Sequence, residues 1–169
     1  MKKNLVLVGM MASGKTTLGK IIAKKQNLKF IDTDLNIEKN NYMTIKEIFE
    51  KKGEKFFRIE EEKETLKCLK KNNCVISLGG GAFMNKNIRE NVLKNSISIW
   101  LDVDAKTINE RIRWNDKRPL LDKEDDLDKI NKLYSERKST YKKAKYKIVC
   151  KDLGKNILVK KILNLYDKQ

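Results

Sequence analysis

The 169-residue sequence has no histidine, one proline and three cysteines. Without histidine there can be no His-based triad, no His metal site and no His general base, so Asp, Glu, Lys and Arg must carry any proton or charge chemistry. Cys68, Cys74 and Cys150 form an odd set without C-x-x-C spacing. This argues against a disulfide framework and against a zinc site. Cys74 and Cys150 adjoin apolar residues, so we expect both to be buried.

The sequence also lacks any run of about 18 apolar residues, which excludes a membrane-spanning helix. The apolar stretch at residues 5–8 is too short for a signal peptide and leads directly into a glycine-containing loop. We therefore expect the chain to remain in the cytoplasm. Hydrophobic residues make up 40% of the chain, enough for one sizeable core, so we expect one domain over residues 1–169.

Acidic residues are fewer than basic ones, with 23 Asp and Glu against 39 Lys and Arg, and the formal net charge is +16. A strongly basic balance is one property of nucleic-acid-binding proteins. Here, however, the lysines are spread over nearly every segment, and only 7% of residues are aromatic. This pattern favours a lysine-rich solvated surface, and it suits a protein whose ligands are anions.

Short apolar segments predict five β-strands, and most are runs of Val, Ile and Leu typical of parallel strands covered on both faces. They span residues 5–8, 29–31, 74–78, 97–101 and 146–149. Helical patterns alternate with them at residues 17–25, 44–51, 54–71, 86–94, 105–113, 127–143 and 155–166. This order predicts an α/β three-layer sandwich with a parallel sheet, whose ligands bind beyond the carboxyl ends of the strands.

Residues 9–16 fit the phosphate-loop (P-loop) pattern G-x-x-x-x-G-K-S/T between the first strand and the first helix. The glycines let backbone N–H groups point at phosphate oxygens, and the helix adds its positive N-terminal end. Lys15 can reach the β- and γ-phosphates, and the Thr16 hydroxyl can bind Mg²⁺. The predicted nucleotide-binding residues of this segment are Gly9, Ala12, Ser13, Gly14, Lys15, Thr16 and Thr17. We find neither the D-x-x-G nor the N-K-x-D motif of signalling GTPases.

Two further motifs carry charged side chains. Asp32 and Asp34 follow the second strand at alternate positions, so their carboxylates should point the same way. One can hold Mg²⁺ through water while the other accepts a hydrogen bond from an alcohol, although Asp34 could instead cap the next helix. Arg58, early in a helix, is a candidate anchor for a substrate carboxylate. The alternative for Arg58 is a surface pair with Glu54 or Glu61.

The third strand is followed by Gly79, Gly80 and Gly81, three of only eight glycines in the chain. Glycine lets the backbone approach a ligand closely and offer N–H donors. Three in succession favour a binding surface over a loose turn.

Taken together, these motifs resemble those of the shikimate kinases, in the same order and over nearly the full length. The P-loop is common to many kinases, so the other segments make the resemblance specific. These are Asp32-Thr33-Asp34, the G-E-x-x-F-R segment that ends at Arg58, Gly79 to Gly81, Arg118-Pro119-Leu120-Leu121, and the helix with Tyr134, Arg137 and Tyr141.

The resemblance implies a nucleoside-monophosphate-kinase-like fold with a five-stranded parallel sheet, a substrate-binding region at about residues 33–61 and a mobile lid at about 113–126. It implies that the chain, as a monomer, transfers the γ-phosphoryl of Mg·ATP to the 3-hydroxyl of shikimate, a step in chorismate and aromatic amino-acid biosynthesis. No nucleic acid and no membrane is implied as a partner.

The resemblance also implies a role for each nucleotide-side residue. Lys15 and the loop amides would hold phosphates, and Thr16 with Asp32 would organise Mg²⁺. Arg118 would move with the lid to meet the phosphates. Arg111 resembles the arginine that stacks on adenine, although Arg113 lies close enough in sequence to compete for that position.

On the substrate side, Asp34 would bind the shikimate hydroxyls and act as base for the one that is phosphorylated. Arg58 and Arg137 would clamp the shikimate carboxylate. The amide of Gly80, flanked by Gly79 and Gly81, would contact the ring hydroxyls.

Two other classes of protein remain as alternatives. Another small-molecule kinase, such as a gluconate or nucleotide kinase, would share the P-loop. A gluconate kinase is not expected to carry both G-G-G-A and R-P-L-L, and a nucleotide kinase should have a base-reading pocket. A basic nucleic-acid-binding protein with a vestigial P-loop is the more distant alternative, and steep salt-dependent DNA binding would support it.

Overall fold

The computed structural model describes residues 2–113 and 126–168. Five strands form one fully parallel sheet, as predicted. They are β1 (Asn4–Val8), β2 (Lys29–Asp32), β3 (Cys74–Ser77), β4 (Ser96–Asp102) and β5 (Tyr146–Val149). Their spatial order is β2-β3-β1-β4-β5. Strand β1 is therefore central, and the loop that follows it emerges at the middle of the carboxyl edge.

Helices cover the sheet and complete the α/β sandwich. They are α1 (Lys15–Lys25), α2 (Thr33–Asn41), α3 (Ile45–Leu69), α4 (Lys86–Asn95), α5 (Ala105–Arg113), α6 (Asp126–Tyr141) and α7 (Lys155–Tyr166). A short 3₁₀ turn, Ala82–Met84, precedes α4. Within residues 2–113 and 126–168, none of the helices is long and apolar enough to cross a membrane.

The main core forms because the three inner strands are apolar and bury every residue. Strands β1, β3 and β4 are buried throughout. The three cysteines are free and buried, as expected for Cys74 and Cys150 and true of Cys68 as well. A second, smaller cluster lies between α2 and α3, where Ile37, Ile48 and Phe57 are buried. The region predicted to bind substrate, at about residues 33–61, therefore packs around its own small apolar cluster.

Two sequence predictions need correction. Helix α2 was not predicted, and it begins directly after Asp32, so Asp34 lies in the first helical turn and not on a strand. The argument that Asp32 and Asp34 point the same way as alternate strand residues was therefore wrong. The predicted helices 44–51 and 54–71 are joined as α3 with a kink at Gly53, whose φ of 80° and ψ of 165° are not helical. The predicted capping box at Thr44 and Glu47 is confirmed.

Candidate active site

The P-loop curls tightly at the central carboxyl edge of the sheet. Gly9 has a φ of 144°, and a Cβ there would lie 2.7 Å from the carbonyl oxygen of Leu101 on β4. A larger residue is excluded because the backbone of the neighbouring strand occupies that space. Helix α1 then begins at Lys15, with Gly14 as its N-cap and no acidic residue in its first turn. The positive end of the helix therefore faces the loop.

The ammonium group of Lys15 lies inside this loop. Lys15 is 7% exposed. Its Nζ donates to the carbonyl oxygens of Gly9 and Met10 at 2.9 and 2.7 Å and to Ser13 Oγ at 3.4 Å. A cation is thus placed where the loop amides converge.

Arg111 and Arg113 have different environments. The Nη1 of Arg111 donates to the carbonyl oxygen of Ala12 at 3.1 Å, which brings its guanidinium to the P-loop. Arg113 is exposed. The structure therefore places Arg111 against the P-loop, whereas Arg113 is exposed to solvent. Thr17, in the first turn of α1, is exposed.

Thr16 and Asp32 form the predicted pair of oxygen donors. Thr16 Oγ1 donates to Asp32 Oδ2 at 2.7 Å, so the two side chains meet next to Lys15. The other oxygen of Asp32 caps α2, accepting from the backbone N–H groups of Asp34 and Leu35 at 3.2 and 3.4 Å. Asp32, and not Asp34, is therefore the helix cap. No group of three or more His, Cys, Asp or Glu side chains that could hold a metal occurs among the described residues.

The start of α2 is fixed to the end of β3, and this positions Asp34. Thr33 Oγ1 donates to the carbonyl oxygen of Ser77 at 3.3 Å and accepts from the Gly79 N–H at 3.1 Å. A Cβ on Gly79 would collide with Oδ1 of Asp34 and would lie 3.0 Å from Oε1 of Glu61. Gly79 is thus packed directly against two carboxylates.

The other two glycines lie beside the two predicted carboxylate anchors. A Cβ on Gly81 would be 2.5 Å from Nη1 of Arg58, and one on Gly80 would be 3.5 Å from Nη1 of Arg137. Residues separated by almost 80 positions in the sequence therefore meet at one surface. The predicted substrate residues Asp34, Arg58, Arg137 and Gly79 to Gly81 are brought together.

Arg58 also pairs with both Glu54 and Glu61, the two partners named in its alternative interpretation. Its Nη1 lies 2.7 Å from Oε2 of Glu61, and its Nε and Nη2 lie 3.2 and 3.1 Å from Oε1 of Glu54. Glu61 is 2% exposed. Burial raises the pKa of Glu61, and the guanidinium groups of Arg58 and Arg137 act in the opposite direction. Sequence reasoning missed Glu61 as part of the site, although its i,i+3 spacing from Arg58 was a usable signal.

Of the predicted site residues, Arg118 lies outside the described residues, as does the predicted lid apart from its ends at 113 and 126. The remaining residues are linked by a series of contacts. Thr16, next to Lys15, bonds to Asp32, and Asp32 caps the helix on which Asp34 lies. Asp34 adjoins Gly79, and Gly80 and Gly81 adjoin Arg137 and Arg58.

A P-loop at the central edge of a parallel sheet, next to a carboxylate and two arginines, defines a P-loop kinase of small molecules. The family model named Shikimate kinase matches residues 11–167. The shikimate kinase of Sulfurihydrogenibium sp. (strain YO3AOP1) is 41% identical over 161 residues, covering 95% of this chain and 96% of that protein. The chain belongs to the shikimate kinase family.

Solved structures agree with this assignment. The shikimate kinase from Acinetobacter baumannii in complex with shikimate has a TM-score of 0.94 and 32% identity, covering 99% of this chain and 94% of that one. A gluconokinase from Sinorhizobium meliloti 1021 has a TM-score of 0.60 at 14% identity, with coverage of 98% and 92%, and shows a shared fold alone. The nucleoside-monophosphate-kinase-like fold expected from the sequence is confirmed.

Proposed function

We propose that this protein transfers the γ-phosphoryl group of ATP to the 3-hydroxyl of shikimate, giving shikimate 3-phosphate and ADP. The observation that carries the proposal is the set of contacts around Asp34. Its carboxylate adjoins Gly79, and the next two glycines adjoin the guanidinium groups of Arg137 and Arg58. Its backbone N–H bonds to Asp32, which also accepts from Thr16 of the P-loop. A compact molecule with a carboxylate at one end and hydroxyls at the other matches this arrangement.

On the substrate side, Arg58 and Arg137 bind the carboxylate of shikimate, and the amide of Gly80 and the carboxylate of Asp34 bind its hydroxyls. The 3-hydroxyl oxygen then attacks the γ-phosphorus as the bond to the β,γ-bridging oxygen of ADP breaks. Asp34 accepts the hydroxyl proton. It need only be a weak base, because phosphoryl transfer depends mainly on positioning and on positive charge around the transferred group.

On the nucleotide side, the P-loop amides and Lys15 bind the phosphates. Lys15 Nζ must exchange its bonds to the Gly9 and Met10 carbonyl oxygens for phosphate oxygens when ATP binds. Arg111, already against Ala12, is the adenine-stacking arginine in this proposal. Arg118 adds positive charge from the lid at about 113–126.

Mg²⁺ fits the paired oxygens of Thr16 and Asp32, which lie 2.7 Å apart. This ion uses few protein oxygens and completes its shell with waters and phosphate oxygens. When bound, it neutralises negative charge that develops on the phosphates. We also propose a single cytoplasmic domain over residues 1–169 that functions in aromatic amino-acid biosynthesis without a nucleic-acid or membrane partner.

The test is ADP release from Mg·ATP by the purified protein with shikimate, gluconate, AMP or no acceptor. We expect strong turnover with shikimate alone, and none from a Lys15→Ala variant prepared in the same way. Turnover with gluconate instead would keep the kinase reaction and the carboxylate anchor but overturn shikimate as the acceptor. Turnover with AMP instead would also overturn the carboxylate site. A folded protein that binds ATP and turns over no acceptor would overturn the proposed reaction.

A further inference from the structure

A buried aspartate lies at the carboxyl end of β4, outside the group of residues assigned to the site. Asp102 is 9% exposed, and each of its oxygens has a donor. Oδ1 accepts a 2.6 Å hydrogen bond from the Tyr134 hydroxyl, and Oδ2 lies 2.7 Å from Nζ of Lys147. A buried carboxylate requires such partners. Here they come from two different elements, α6 and β5.

Tyr134 lies on the same helix as Arg137, three residues before it. Tyr141, four residues after Arg137, donates its hydroxyl to the carbonyl oxygen of Gly80 at 2.5 Å. Residues at i−3, i and i+4 share one face of a helix. Helix α6 is therefore attached to the carboxyl edge of the sheet at two points, one on each side of the arginine.

Both attachments are supported by one face of β4. Trp100 and Asp102 are alternate residues of the strand and point to the same side. The Trp100 ring stacks on Tyr141 with centroids 5.9 Å apart, and Lys147 Nζ lies 4.7 Å from the Trp100 centroid. Burial raises the pKa of Tyr134, and the hydrogen bond to Asp102 acts in the same direction. The Tyr134 hydroxyl therefore keeps its proton and remains the donor.

We infer that Asp102, acting through the Tyr134 hydroxyl, is a positioning residue that holds Arg137 for the carboxylate of the acceptor. The inference rests on the role proposed above for Arg137. Loss of this hydrogen bond removes one of the two attachments of α6 to the carboxyl edge, while Ile130, Leu133 and Tyr141 still pack against the core. The helix stays in place, but the guanidinium is less well oriented toward the space beside Gly80. The affinity for the carboxylate should fall more than that for ATP, because Tyr141 and its contact with Met10 of the P-loop are retained.

The test is Tyr134→Phe, which removes one hydroxyl and keeps the ring. Shikimate binding is measured by calorimetry without nucleotide, and KM and kcat are measured with Mg·ATP. We expect the Kd and KM for shikimate to rise about threefold to tenfold, less than for direct loss of a hydrogen bond to the charged ligand, because Tyr134 acts only through the orientation of Arg137. The KM for ATP and kcat should stay within about twofold, a change too small to count as a lost interaction.

Tyr166→Phe is the matched control, because its hydroxyl donates at 2.8 Å to the Lys3 carbonyl oxygen at the opposite end of β1. Both variants should lower the melting temperature. Only Tyr134→Phe should weaken shikimate binding. If both variants weakened shikimate binding equally, the weaker binding would reflect general loss of stability, and the inference would be overturned.

A second comparison tests whether Tyr134 acts through Arg137. In an Arg137→Ala background, adding Tyr134→Phe should leave kcat/KM for shikimate unchanged, whereas in the wild type it lowers this ratio. Additive losses would overturn the inference. An active wild type with unchanged shikimate affinity in Tyr134→Phe would also overturn it and leave the proposed function standing. A wild type that binds no shikimate would instead contradict the proposed function.

Discussion

At the scale of single residues, Arg58 must bind glutamate side chains of its own helix and, in the proposed function, the carboxylate of the substrate. Its contact with buried Glu61 fixes the guanidinium within the protein, at 2.7 Å from the Glu61 carboxylate. Its side chain is still 38% exposed, so part of the planar group remains accessible. A guanidinium has five N–H donors. Glu54 and Glu61 use three of them, which leaves one each on Nη1 and Nη2 for a bidentate ligand carboxylate. The carboxylate pairing therefore orients Arg58 and does not exclude a substrate role.

Arg58→Ala should raise the KM for shikimate about tenfold to hundredfold, as expected for a lost charge-assisted contact. The KM for ATP should change far less, because the described hydrogen bonds of Arg58 go to Glu54 and Glu61 on its own helix and not to the P-loop. Lys55→Ala, an exposed cation on the same helix, is the control for lost positive charge. Equal increases in both KM values would show that Arg58 is structural. Steady-state kinetics with each substrate varied separately measures the difference.

Gly79→Ala should lower kcat, because the new Cβ would meet the carboxylate of Asp34 and lie 3.0 Å from Glu61 Oε1. Asp34 must move to accommodate it, and a displacement of about 1 Å can cost on the order of a hundredfold in rate. Gly154→Ala is the control, since nothing lies within 4 Å of its Cβ position. A folded Gly79→Ala protein with normal kcat would contradict the role of Asp34.

At the scale of the elements, the kink in α3 joins its first part, which contributes Ile48 to the small apolar cluster, to its second part, which carries Arg58. It depends on Gly53, because a φ of 80° with a ψ of 165° is a conformation that residues with a side chain rarely adopt. Gly53→Ala should therefore lower the free energy of unfolding by about 1–3 kcal/mol. Urea denaturation measures this, with Gly154→Ala, at φ −67°, as the comparison. Equal stability of the two variants would contradict the strain argument.

Helices α2 and α3 are also held together by a buried carboxylate. Glu64 is 5% exposed and accepts from Asn36 at 2.9 Å and from Asn40 at 3.1 Å. Burial by itself would raise the pKa of Glu64, but hydrogen bonds from Asn36 and Cys68 and the charge of Lys67 outweigh it, so the pKa is lowered. The ionised form is therefore part of the contact between the two helices.

This lowered pKa predicts a pH dependence of stability. A carboxyl group whose pKa is lower in the folded state stabilises the fold above its ordinary pKa, and this contribution is lost as the pH falls through the folded value. Glu64→Gln should therefore be less stable than the wild type at neutral pH, and the gap should shrink as the pH falls below the ordinary glutamate range. Urea unfolding at several pH values measures it. A gap that stays constant with pH would show that the charge of Glu64 contributes nothing.

The elements also show what the sequence could and could not predict. The inner strands were predicted within about one residue because they are mostly apolar and are buried on both faces. Helix α2 was missed because its sequence, Thr-Asp-Leu-Asn-Ile-Glu-Lys-Asn-Asn, has little helical periodicity. It depends on the Asp32 cap and on Ile37 packing against α3. The P-loop residues were found because local spacing defines them, whereas the buried environment of Glu61 results from contacts between distant segments.

At the scale of the whole molecule, the two outer strands determine whether the sheet can extend into a second copy. An exposed edge strand can pair with a strand of another chain unless charged residues interrupt it. Lys29 is exposed on β2. Lys147 lies on β5 with its side chain 42% exposed and its ammonium paired with Asp102. The net charge of +16 adds repulsion between copies. Exposed large hydrophobic residues of the described segments lie on separate elements, for example Ile59 on α3 and Ile157 on α7.

These properties predict a monomer of 19.8 kDa in sedimentation equilibrium. The mass should stay the same at about 0.15 M and about 1 M salt, because the edge lysines interrupt pairing sterically and by hydration as well as by long-range repulsion, which 1 M salt screens. Lys29→Val should self-associate more readily than the wild type at high salt, since it leaves Asp32 as the one charged residue of the edge strand β2. A concentration-dependent doubling of the wild-type mass would contradict the prediction. A dimer confined to high salt would show that net charge alone keeps the copies apart.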